Sequence, residues 1–178
     1  MSLIKVKGSS ITGALAAVDG SALTGISGGK LLQVVSTNYA TQTGTTSSTY
    51  SDTGLTLNIT PSATSSKVLV FPSMNGLYNG NGDTNADFLL NRSGASSGNG
   101  GILEFSSTAM FDADTKAVGG ETVSCTHLDT PNSTNTLTYK IQFRSSNNTH
   151  NVYVNTYIRG DARGRCTLTL MEIGAWHI

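Results

Sequence analysis

Between Leu31 and Ile173 the apolar residues recur at every second position and almost nowhere at helical spacing. Leu137, Tyr139, Ile141 and Phe143 alternate with Thr138, Lys140 and Gln142, and Leu55, Leu57 and Ile59 alternate with Thr56 and Asn58. Successive side chains of a strand point to opposite sides, so this period gives each segment one dry face and one wet face. The pattern predicts eight to ten strands, the first being Leu31–Val35 as a short, rather buried one. Further strands are expected over 55–59, 67–71, 86–91, 123–128 and 166–173, with one strand or a bent pair within 102–111. Residues 137–143 and 152–158, joined by the turn-forming Ser145-Ser146-Asn147-Asn148-Thr149, read as a hairpin. The expected fold is therefore all-β, an antiparallel β-sandwich or jelly roll over residues 30–178. Only Ser10 to Val18 suggests a brief helix.

Size and charge narrow the classes of function. The chain has 178 residues, enough for one domain, and its 11 Lys plus Arg balance 11 Asp plus Glu. Nucleic-acid binding, which draws on released counterions, is not expected without a basic excess. No run of about 18 apolar residues could span a membrane, and lysines interrupt the opening Met1-Ser2-Leu3-Ile4-Lys5-Val6-Lys7 where a secretory signal needs unbroken apolar residues. Neither membrane insertion nor secretion is expected. Ser, Thr, Gly and Asn make up 81 residues, against 40 for Leu, Ile, Val and Phe, so the core must be thin and shared. Thr and Ser suit the wet side of a strand, but they leave sheet edges without the lysines that discourage strand addition. Edges covered by further copies of the chain, and hence a homo-oligomer, are the expected outcome.

The first 29 residues form a separate arm carrying a 12-residue repeat. Val6, Gly8, Ser9, Ile11 and Gly13 recur as Val18, Gly20, Ser21, Leu23 and Gly25. Two such units hold too few apolar groups to bury themselves and gain stability only against neighbours, which assigns these ten positions to anchoring or to pairing between subunits. Gly28-Gly29 marks the boundary with the β-domain.

Chemistry is sparse along the rest of the chain. The stretch Asn79 to Asp87 places oxygen-bearing side chains at alternate positions, but Thr84 and Leu90 stand where a calcium loop needs Gly and Glu. It reads as a polar loop, and Tyr78, Asn79, Asn81, Asp83 and Asn85 are candidates for exposed-loop contacts, on a loop spanning Asn75 to Asn85; a second exposed loop is expected from Ser93 to Gly101. His127, His150 and His177 have no zinc-binding spacing. Asp112 and Asp114 fall at a loop entry, no strained serine elbow is present, and Arg159-Gly160-Asp161 reads as a hairpin connection. Cys125 and Cys166 lie too far apart for a CxxC unit and are expected as buried free thiols. Neither a cofactor nor an enzymatic activity is expected.

Three segments carry a resemblance. Lys30-Leu31-Leu32-Gln33-Val34-Val35, the run from Ile59 through Pro61 to Val70, and Thr167-Leu168-Thr169-Leu170-Met171-Glu172-Ile173 resemble a β-domain of bacteriophage virion proteins, notably the tail fibres of marine and cyanobacterial phages. Val18 to Ile26 is similar to the N-terminal and linker repeats of such fibres. The resemblance implies a structural, commonly trimeric protein, made in the host cytoplasm and placed on the outside of the virion. Its N-terminal part would attach to other virion proteins, and its β-domain would face outward, towards a host surface and its glycans. A capsid decoration or cement protein is the alternative that suits the chain length. A carbohydrate-binding adhesin is another, with Tyr78, Tyr153, Tyr157 or Trp176 offering a ring face to a sugar.

Overall fold

The computed structural model describes residues 30–79, 84–106, 118–156 and 164–174. Among them lie eleven strands and no helix: β1 (Leu31–Tyr39), β2 (Thr43–Thr45), β3 (Ser51–Ile59), β4 (Lys67–Asn79), β5 (Ala86–Ser93), β6 (Gly100–Ser106), β7 (Val118–Ser124), β8 (His127–Asp129), β9 (Leu137–Ser145), β10 (Val152–Val154) and β11 (Cys166–Ile173). Two antiparallel sheets form a β-sandwich. Sheet B has four strands in the order β3-β9-β5-β6, and sheet A has the other seven.

The thirteen-residue β4 is the spine of sheet A. Ser73 pairs with both Thr167 of β11 and Ser124 of β7, and Tyr78 with both Tyr153 of β10 and Gly119 of β7. One flank of β4 is thus shared by β11 and then β10, the other by β8 and then β7. Strand β1 borders sheet A beyond β11, and β2 borders it beyond β10. Gly76 sits where the spine passes from β11 to β10, in a left-handed conformation with φ of 61°. A Cβ there would lie 2.5 Å from the Thr156 carbonyl oxygen. Glycine is therefore required for the backbone bonds that Asn155 and Thr156 donate to Asn75 and Gly76.

Alternation decides what is buried. Val68, Val70, Met74, Leu168 and Leu170 of sheet A face Leu55, Ile59, Phe88, Leu90, Tyr139, Ile141 and Phe143 of sheet B, all essentially inaccessible to water. At the outer end, Phe88 stacks against Phe105 and Phe143. A buried polar staple closes each border of this core. On the β8 side, Arg92 Nη1 donates to both carboxylate oxygens of Asp129 at 2.7 and 2.6 Å, and the Tyr139 hydroxyl donates to the same carboxylate at 2.7 Å. Arg92 Nη2 also donates to the carbonyls of Ser97 and Gly98, fixing the loop after β5. On the β1 side, Glu172 accepts from Gln33 Nε2 and from the amide and hydroxyl of Ser62, each at 2.7 Å, while Gln33 reaches the Thr60 carbonyl as well.

Several expectations from the sequence need correction. Strands β9 and β10 do not form a hairpin: β9 pairs with β3 and β5 in sheet B, whereas β10 pairs with β4 and β2 in sheet A. The turn between them crosses from one sheet to the other. It is held by Asn147 Oδ1, which accepts from the amides of Thr149 and His150, and by buried Ser145, whose hydroxyl donates to the His150 carbonyl. Residues 31–35 are not a rather buried strand but the start of a nine-residue border strand, with Leu31, Leu32 and Val34 exposed. The run 123–128 is split, because β7 ends at Ser124 and β8 begins at His127, both on β4. Asn155 is buried rather than on a wet face: with φ of 60° it turns inward, giving its amide group to the Thr41 carbonyl and accepting from the Cys166 amide. Residues Asn75 to Asn79 belong to β4 and not to a loop. The segment 94–99 is a largely exposed loop, as expected, with Ala95 tucked under it.

Candidate functional site

The outer face of sheet A sets the surface apart. Val34 is paired with Met171, Met171 with Leu69, and Leu69 with Leu128. Directly opposed residues of neighbouring strands share a face, so these four side chains form one apolar row running across β1, β11, β4 and β8. A second row, Leu31, Ile173 and Lys67, lies on one side of it, and Ser36, Thr169 and Phe71 lie on the other. The extra residue Leu32 sits at a register shift between Leu31 and Gln33, near Gly174. Leu31, Leu32, Val34 and Leu128, at 52, 42, 49 and 48% exposure, are the exposed large hydrophobics among the described residues, and all four belong to this face or its border.

The staples beneath hold the row in place. Gln33, Glu172 and Asp129 point inward to their hydrogen bonds, and their chain neighbours Val34, Met171 and Leu128 must therefore point outward. Burial pushes the Glu172 carboxyl up, but the hydrogen bonds from Gln33 and Ser62 outweigh it and hold the group down at about 2. Both burial and the Asp129 carboxylate push the Tyr139 phenol up, so it stays a proton donor to Asp129.

Farther along the same face, Tyr78 and Tyr153 stand in register with ring centroids 5.7 Å apart. The Tyr153 ring lies over Gly44 of β2, where a Cβ would come within 2.4 Å of it. Asn75 accepts from the Thr122 hydroxyl at 2.6 Å and donates to the Arg165 carbonyl at 2.7 Å, which places a polar border beside the tyrosines.

Of the residues singled out from the sequence, Tyr78 thus lies half-buried in a strand, and Asn79 ends that strand by pairing its backbone with Val118 and Val152. Asn85 is half-buried, its amide bonded to the Ser146 hydroxyl and its carbonyl to the Ser146 amide. These three do not gather into an open contact loop. Asn81, Asp83, the ten arm positions Val6 to Gly25, Asp112, Asp114, Tyr157, residues 159–161, Trp176 and His177 lie outside the described residues. Asp87, at the end of the polar stretch, is engaged by Arg144 at 3.2 Å and by Ser106 at 3.0 Å. Among the described residues no three His, Cys, Asp or Glu side chains group as metal ligands would. Both cysteines are free, Cys166 buried and Cys125 half-buried rather than fully buried as expected, and burial pushes each thiol up to about 11. Thiols in that range are protonated at neutral pH and poor nucleophiles. No protein-family model matches the chain, and no curated protein matches it.

The apolar row was not foreseen, yet the sequence carried a signal for it. Val68-Leu69-Val70-Phe71 is apolar at consecutive positions, and a strand with one wet face should not be.

Proposed function

We propose that the chain is a structural building block of a phage virion, a trimeric tail fibre or short appendage anchored by residues 1–29, with its β-sandwich turned outward. It carries out no catalysis and needs no cofactor. The observation that carries this reading is the apolar row on the outer face of sheet A, together with the uncharged border strand β1. A contiguous apolar face marks a surface that meets protein rather than water. An unprotected border marks a strand that another chain covers. The resemblance of residues 18–26, 30–35, 59–70 and 167–173 to phage fibres supplies the setting for that assembly. Antibody raised against residues 30–174 is expected to label intact particles at a fixed external position, and a chain lacking residues 2–27 to be missing from them. Label on the head rather than the tail would move the chain to the capsid-decoration class. Particles that never contain the chain would end the reading.

The paired tyrosines favour a second reading, a saccharide-binding module. Tyr78 and Tyr153 supply apolar ring faces beside the amide and hydroxyl groups of Asn75 and Thr122, the combination that sugar rings require. Saturable binding on a glycan array, lost in Tyr153→Ala, would support it.

A further inference from the structure

We infer that the outer face of sheet A is the inner wall of a closed ring of copies, in which β1 of each copy lies beside β8 of the next and the row Val34, Met171, Leu69, Leu128 continues from copy to copy. The inference rests on the proposed self-association and names its surface. The row reaches both borders of the sheet at this level, and its two end residues are equally open, Val34 at 49% and Leu128 at 48% exposure. A two-fold pairing of β1 with its own copy would cover Val34 and leave Leu128 in water. A head-to-tail contact covers both ends at once, and contacts of that kind close into rings when their rotation returns to the first copy.

Strand direction agrees. Each pairing from β1 to β11, β4 and β8 is antiparallel, so β8 runs antiparallel to β1. A rotation about an axis along the strands therefore brings β1 and the neighbouring β8 together in antiparallel sense, the sense in which adjacent strands pair most readily. Charge points to the same occupant. The two rows flanking the apolar one contribute Lys67 as their sole charge, and none of the three rows holds a carboxylate, so a charged partner would find little to recognise, whereas an identical face is complementary to itself. Strand β1 has no Lys, Arg or Pro to block an approach, while the border strand β3 of sheet B carries Asp52 and an irregular register.

Size selects the number of copies. Four strands about 4.8 Å apart give each copy about 19 Å of the ring's perimeter. Three such faces stand about 5.5 Å from a common axis, close to half the roughly 10 Å that separates two packed sheets, and their side chains fill the centre. Four would stand roughly 9.6 Å away and leave a channel lined by apolar groups.

The full-length chain tests this with a cysteine pair. In a Cys125→Ser background, Val34→Cys combined with Leu128→Cys is expected to give, on mild oxidation, a covalent ladder on non-reducing gels that stops at three. Either substitution alone should leave the chain uncross-linked. Disulfide-linked dimers from Val34→Cys alone would show two-fold pairing and overturn the inference. An oligomer in light scattering that the double variant fails to cross-link would also overturn it, while leaving the proposed self-association standing. A monodisperse monomer at micromolar concentration would remove both. As a second measurement, Leu69→Asp in the middle of the row is expected to weaken association at least 100-fold with an unchanged β-type circular dichroism spectrum. Association unaltered by that charge would overturn the inference independently.

Discussion

The two outer faces of this sandwich solve the same problem in opposite ways. On sheet B the outward side chains satisfy one another. Asp52 lies between Lys140 at 2.9 Å and Gln142 at 2.8 Å, Asp87 between Arg144 and Ser106, and the Arg144 guanidinium covers the Tyr50 ring at 4.7 Å. That face is finished in water. On sheet A the corresponding positions are Val34, Met171, Leu69 and Leu128, which lie side by side across four strands. On the function proposed above, the face that carries the charge pairs is left to solvent and the apolar one is covered by protein.

The contrast can be tested at three depths. The deepest is the staple shared by both sheets. Arg92→Met leaves the Asp129 carboxylate buried and without its cation, and is expected to cost about 3–5 kcal/mol in urea denaturation, abolishing both faces together. A cost below about 1 kcal/mol would mean that the sheets are held by packing alone.

The staple at the opposite border acts more selectively. Glu172 is held at about 2 in the folded chain against an ordinary 4.5, so its contribution is complete above the ordinary value and is lost as pH falls towards the folded one. The loss is on the order of 3 kcal/mol. Stability measured by urea titration from pH 6 down to pH 2 should fall through this window, and the slope should flatten in Glu172→Gln. A slope identical in the two proteins would place the acid sensitivity elsewhere.

The smallest effect belongs to the finished face. Lys140→Met breaks the partly exposed pair with Asp52 and should cost less than about 1 kcal/mol, with the oligomeric order in light scattering unchanged. Dissociation of the oligomer by this substitution would reverse the assignment of the two faces.

Much of this architecture was legible in the sequence, and the part that was not has a physical reason. Alternation in Leu137–Phe143 and Leu55–Ile59 fixes which side chains are buried, because a strand's period is local. It cannot say which sheet a strand joins. Residues 137–143 and 152–154 each bury one face, and an arch between two sheets leaves the same alternation as a hairpin within one. The left-handed Asn148 lies in that arch, and asparagine is frequent enough in this sequence to hide it. The candidate site was less legible still. Val34, Leu69, Leu128 and Met171 are far apart in the chain and become neighbours only through three separate strand pairings. Residues 31–35 read as rather buried because two leucines and two valines in five positions imply it. Val35 finds cover in the core between the sheets, whereas Leu31, Leu32 and Val34 stay exposed.

The pairing of β1 with β11 has a consequence for the order of events in the cell. The row needs β1, β4, β8 and β11 side by side, and β11 contributes Met171 and also the Glu172 that pins Gln33 beneath Val34. Until residue 173 has been made, β1 lacks the strand with which it pairs among the described residues, and the apolar row is incomplete. On the self-association proposed above, the face that joins copies is complete only once β11 lies between β1 and β4.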